Sequence, residues 1–457
     1  DDDVTRIGTY LTELVEVTLS ATDGRDLTGI TVKINKTQYT WNGTPIKVKI
    51  AFEKSYTIEF SRVSGYFTPT IQEFIASQIT RMAIGAYEAL PDGLVIIDQT
   101  ITDPATMISG AVNSSVIQQI RAESHRYLGK YTADGQMTLC QLDDNNSTMY
   151  ADGSPAVLTG SQGDVFMKMP DFWYRAIAID LNVWGFQFQI GSISPGADWI
   201  KWDSNALIGV YKIHCSSQKA YSRSEKYVTT QTGQSNFKLQ ARNRGVGFQL
   251  VDWQMHCVMA LLYFAQYGNT NSQQIIGTSS ISSLGITNAC GMNDTRGTNP
   301  VSGLNDTGVD GNSQAINFWG LEGWWGGYEE YIDNVGVVNG TWLITESETV
   351  TRTVTPNFQN GNIGAFLFGD YCDLISIATA SSLTTGFCDY SRILSTSSTL
   401  VVRRSGTRNE EKVGISYINA EGTEGYTSNY ISSRLAFRGQ CVEVTDSEEF
   451  KSLTAIG

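Results

Sequence analysis

The residues best equipped for chemistry crowd into VVRRSGTRNEEKVGISYIN, residues 401–419, where Arg403, Arg404, Arg408, Glu410, Glu411 and Lys412 sit between strand-like runs of Val and Ile. Long side chains of both signs in so short a span suit recognition by ion pairs and bidentate hydrogen bonds. They do not suit covalent catalysis, because no nucleophile with a base and an orienting group stands among them. A second acidic group, Glu329, Glu330 and Asp333 in GWWGGYEEYIDN, has the residue types of an acid/base pair. The three His, at 125, 214 and 256, fall in no ligand spacing, and the seven Cys are dispersed without a CxxC. Dispersed Cys read as buried free thiols, with a Cys388–Cys441 disulfide left open. NDTGVDGN, residues 305–312, has oxygen ligands at ion-loop density but not the spacing of an EF-hand. No metal site and no cofactor are therefore expected.

These residues need a frame, and 457 residues exceed one ordinary core, so two or more domains are expected. Forty-four Gly, 11% aromatic and only 17% charged residues describe a turn-rich globular chain with much sheet. A formal charge of −14 with no basic run argues against nucleic acid as a partner. No apolar run approaches the roughly 20 residues that cross a bilayer, so no membrane insertion is expected. DDDVTRIG lacks the regions of a signal peptide, which leaves open a segment removed before it.

Residues 13–69 alternate apolar and polar at period two, in VEVTLSA, ITVKINKTQYTWNG and IKVKIAFEKSYTIEF, with turn residues between. This predicts a small antiparallel β-sandwich over 1–75, of Ig-like or PEGA-like style and spacer role. Residues 76–100 read as a connector, either an amphipathic helix or a last strand. A helix is predicted in SSVIQQIRAESHRYLGK with Ser114 or Ser115 as cap and Gly129 as stop. Another runs from a Ser235 cap to Gly245, and a third from an Asp252 cap to Gly268. The third is apolar nearly all round and should be buried, with His256 and Cys257 as core residues. After Gly277 the chain reads as loops and short strands, giving residues 101–457 an α+β layout.

The ordered motifs MPDFWYR (169–175), ARNRGVGFQLVDWQMHCVMALLYFAQYGNTNSQQIIG (241–277), GTNPVSG (297–303), FWGLEGWWGGYEEYIDN (318–334), FCDY (387–390) and SSRLAFRG (432–439) resemble one family. It is that of the C-type-lectin-fold variable and receptor-binding proteins of phage tails and diversity-generating retroelements, relatives of the major tropism determinant and of formylglycine-generating enzymes. The resemblance implies a C-type lectin fold in which two helices brace a sheet, and a ligand surface on β-hairpins within a variable region of about 390–436. The expected binding residues are Ser391, Arg392, Arg404, Thr407, Arg408, Asn409, Glu410, Glu411, Ser416, Tyr417 and Asn419, with Val402, Val413 and Ile415 as inward anchors.

The enzymatic relatives use closely spaced C-terminal Cys or a His-rich iron site, and this chain has neither, so an enzyme is not expected. In the relatives without activity the GWWGGYEEYIDN stretch is a core motif. The calcium-loop motifs of animal C-type lectins are absent. The expected function is receptor binding to a host cell-surface protein or glycan, in a phage tail among other tail proteins, trimeric by analogy. A lipid-anchored protein of a bacterial surface and a purely structural tail protein are the alternatives.

Overall fold

The computed structural model describes residues 12–77, 80–279, 290–301, 315–346, 349–356, 360–379, 386–406 and 412–456. The chain divides into two units, Asp1–Leu94 with Ala178–Trp184, and Val95–Ile177 with Gly185–Gly457.

In the first unit, two sheets enclose one core. The strand Thr12–Ala21 lies between Ile46–Ala51, antiparallel, and Thr80–Tyr87, parallel. The second sheet runs Thr37–Thr40, Thr31–Ile34, Ser55–Phe60, Gln72–Ile75. Period-two alternation puts Val15, Val17 and Leu19 of one sheet against Val32, Ile34 and Ile58 of the other, all buried. Residues 76–100 are not a separate connector. Thr80–Tyr87 belongs to the first sheet, and Gly85 is there because a Cβ would meet the Phe60 ring at 2.5 Å.

In the second unit, the α+β C-type lectin expectation is overturned. The protein is mostly β, 42% strand against 11% helix, and is a multi-sheet β-sandwich fold. Residues beyond Gly277 that read as loop pair instead into a long mixed sheet. Its middle is the strand Glu329–Val338, flanked by Leu400–Arg404, antiparallel, and Ile431–Arg438, parallel. Such strands are buried on both faces and carry no alternation to announce them.

The three longest helices among the described residues all lie in this unit. α1 (Ser115–Ala122) ends well short of Gly129, because His125–Tyr131 pairs with strands on both sides. α2 (Gln234–Arg242) begins behind Gly233, two residues before the expected Ser235 cap, without a side-chain cap. α3 (Trp253–Tyr267) has the expected limits: the Asp252 carboxylate accepts from the Met255 N–H, and Gly268 ends it at φ 60°. It is buried nearly all round, with His256 and Cys257 in the core.

Candidate functional site

Adjacent strand residues face opposite sides, so Arg403 and Arg404 enter two separate buried clusters. Arg404 stands opposite Glu330 in the register and pairs with its carboxylate. Lys212 reaches the same carboxylate at 2.5 Å and Arg434 at 3.0 Å, all four side chains being buried. The Arg404 guanidinium lies 3.4 Å from the centroid of the Trp324 ring and donates to the Trp324 carbonyl. Burial alone would push the Glu330 carboxyl up, but Arg404, Arg434 and Lys212 outweigh it and hold the group far below its usual range. Burial pulls the Lys212 ammonium down to about 8.

On the other face, Glu329 forms an ion pair with Arg403 at 3.1 Å and accepts hydrogen bonds from the Tyr417 hydroxyl at 3.0 Å and from the Asn419 amide at 2.8 Å. Ser391 shares a hydrogen bond with Ser376 at 2.7 Å, and the Ser416 N–H donates to Asp389 at 2.8 Å. The expected outward face is therefore corrected for five residues: Ser391, Arg404, Ser416, Tyr417 and Asn419 are each at most 3% exposed. The reason is that their strands lie inside a sheet covered on both faces, so the alternation that should have turned them outward turns them into a second interior. Arg392 is half-buried, its guanidinium 5.6 Å from the Tyr390 ring centroid. Thr407, Arg408, Asn409, Glu410 and Glu411 lie outside the described residues. Val402, Val413 and Ile415 are buried, as anchors should be. No disulfide joins Cys388 to Cys441.

The open polar site of this unit forms where the sheet is irregular. The register of Glu329–Val338 against Leu400–Arg404 shifts between Tyr331 and Gly336, and such a break re-aims the residues within it. Asp333 and Asn334 lie in that break and line a cleft of about 450 Å³ together with the start of α3, Tyr174, Glu346, Arg352, Tyr371, Asp373 and Arg438. A second cleft of about 760 Å³ shares Gln249, Asp333, Asn334, Thr345 and Glu346 with the first, so the two form one groove.

Its polar groups are fixed by one another. Arg352 pairs with both Glu346 and Asp373, and its guanidinium lies 4.1 Å from the Tyr371 ring centroid. Asp373 also accepts from the Trp253 indole at 2.7 Å. Arg438 holds Asp252 through two nitrogens, at 2.5 and 3.1 Å. Asn334 accepts from the Trp253 N–H and donates to the Thr345 carbonyl, both at 2.8 Å. Asp333 accepts from the Leu250 N–H at 2.9 Å and pairs with Lys238 at 3.1 Å. Tyr371 is 52% exposed at the mouth. Of the acidic residues in GWWGGYEEYIDN, Glu329 and Glu330 are interior and only Asp333 reaches this groove. Arg352, the neighbours Tyr371 and Asp373, and Arg438 come from separate segments of the chain, and no spacing could have united them.

Among the described residues, no group of three or more His, Cys, Asp or Glu could hold a metal ion. No family model matches the sequence, and no curated protein matches it. Among solved structures the chain is similar to the Bacillus anthracis TIE protein, at 10% identity and a TM-score of 0.16, over 42% of this chain and 31% of that one. It is similar as well to a point mutant of the shaft pilin spaA from Lactobacillus rhamnosus GG, at 10% identity and a TM-score of 0.16, over 42% of this chain and 94% of that one. The chain thus spans less than a third of the TIE protein, and likenesses this slight carry no argument about fold or function.

Proposed function

We propose that the protein is a receptor-binding protein that attaches to a cell surface, in a phage tail or, as the alternative, on a bacterial surface. The observation that carries this reading is the groove: open, lined by charged groups of both signs, and held rigid by its own ion pairs before any partner arrives. Pre-organised polar side chains bind without the entropy cost of ordering them. The ordered motifs between 169 and 439, which resemble variable receptor-binding proteins, support the setting. Binding is preferred to catalysis because four of the five groove carboxylates, Asp252, Asp333, Glu346 and Asp373, are already committed to Arg or Lys. Ligand contact is moved from the strand residues Arg404, Tyr417 and Asn419 to this groove.

The test is adsorption of the labelled full-length chain to a panel of Gram-negative and Gram-positive cells. Saturable binding to at least one strain, weakened in Tyr371→Ala with the fold intact, is the expected result. Absence of adsorption across the panel would favour the second reading, a structural tail protein, which the burial of Arg403 and Arg404 in ion clusters also favours.

A further inference from the structure

Resting on the receptor-binding reading, we infer that the groove takes a glycan chain that is neutral or carries amino groups. Two adjoining clefts make a trough rather than a closed pocket, which suits an extended oligomer with several units in contact. The charge balance narrows the class. The combined lining holds five carboxylates against four basic side chains. Three of the four are already engaged, Arg352 by Asp373 and Glu346, Arg438 by Asp252 and Lys238 by Asp333, while the exposed Arg242 lies 3.8 Å from the Asp333 carboxylate. Among the described lining residues the carboxylates outnumber the basic groups and only the exposed Arg242 is loosely held, so an acidic polymer is disfavoured.

What the groove offers instead is a match for sugar hydroxyls, each of which both donates and accepts. Glu346 and Asp333 supply acceptors, and Thr345, Ser398, Thr399 and Thr423 along the second cleft supply hydroxyls. Tyr371 supplies the apolar face that a pyranose ring needs on one side. Its ring is steadied by the Arg352 guanidinium while half of the side chain stays exposed. A protein partner would ask for a broad, flatter contact with deep apolar anchors. An extended peptide would ask for apolar pockets at alternate positions. The trough instead has apolar side chains such as Ile200, Ile344 and Leu343 sharing the wall with polar groups clamped in ion pairs, which suits a sugar's alternation of apolar ring face and hydroxyl edge.

The experiment is affinity electrophoresis of the full chain through native gels containing yeast mannan, dextran, xylan, glycol chitosan or heparin. At least one of the first four should retard the protein and heparin should not. Tyr371→Ala should weaken retardation about tenfold and Tyr371→Phe restore it, since the ring and not the hydroxyl makes the stack. Retardation by heparin alone, by none of the polymers, or equally in Tyr371→Ala would overturn the inference. Cells pretreated with periodate or with protease separate this claim from the broader one. Adsorption that survives periodate but not protease makes the receptor a protein and overturns the glycan assignment while receptor binding stands. Gel retardation without adsorption to any cell keeps the glycan site and removes the receptor reading.

Discussion

Glu330 is one carboxylate serving Lys212, Arg404 and Arg434, and the surplus of buried positive charge is tolerated because backbone carbonyls take most of the remaining donors, the Arg404 Nε–H alone among these side chains being buried without a hydrogen-bond partner. The carbonyls of Gly209, Val210, Glu322 and Gly323 accept from Arg434, and that of Tyr328 accepts from Lys212. Removing the single anion leaves three interior cations without it. Glu330→Gln should therefore cost about 3–5 kcal/mol in urea denaturation, far above a surface ion pair. A loss under 1 kcal/mol would mean that the carbonyls alone suffice. The folded carboxyl is held below its ordinary 4.5, so its stabilisation is present above that value and is lost as the solution is acidified below it. His256 is the opposite case: both ring nitrogens are buried without a hydrogen-bond partner. Burial drives its pKa down to about 3 from 6.5, so it disfavours the fold progressively as pH falls below 6.5. His256→Leu should be neutral or stabilising by about 1 kcal/mol at pH 7, because it removes an unpaired polar group. The advantage should widen at pH 5, as read from thermal melts at the two pH values.

The segment from Lys412 to the strand Ile418–Gly422 is shaped by Asp389 and Ser272. Asp389 accepts from the Ser416 N–H at 2.8 Å and the Gln273 amide at 2.9 Å, and Ser272 accepts from the Ile415 N–H at 2.9 Å. Gly414 lies so close that a Cβ would meet the Ser272 hydroxyl at 2.3 Å. Burial pushes the Asp389 pKa up to about 7, against the lowering by these donors. A raised acid binds its proton more tightly in the folded state, so its contribution is full below the ordinary 3.8 and is lost as pH rises through about 7. Asp389→Asn should flatten that part of the stability profile between pH 4 and 7, and an unchanged slope in urea titrations would place the titrating group elsewhere. This segment also shows what the sequence could and could not disclose. α3 was legible because its cap, its stop and its length all pointed the same way. The strands bearing Arg403, Arg404, Glu329 and Glu330 were not, because charge in a sequence reads as exposure and here each charge is matched across the sheet. The groove was illegible for another reason: a register break brings Asp333 and Asn334 beside residues from several distant segments, and only the fold knows that adjacency.

At the scale of the whole molecule, the two units have cores with no residue in common. One cluster runs from Val15 to Tyr87, while a main cluster of the other runs from Tyr127 to Phe437. Each core lies in its own sheets, so the hydrophobic free energy lost by opening one need not be lost by opening the other. Calorimetry should then resolve two transitions rather than one. Ile58 is fully buried between the two sheets of the first unit, and Ile58→Ala leaves a cavity there that should cost about 2–5 kcal/mol. The transition of the first unit should move down while that of the second keeps its midpoint, and with it the retention of the chain by any polysaccharide the groove binds. A common shift of both transitions would show that the units unfold as one cooperative body. In that case the first could not serve as an independent spacer, because damage to its core would reach the groove.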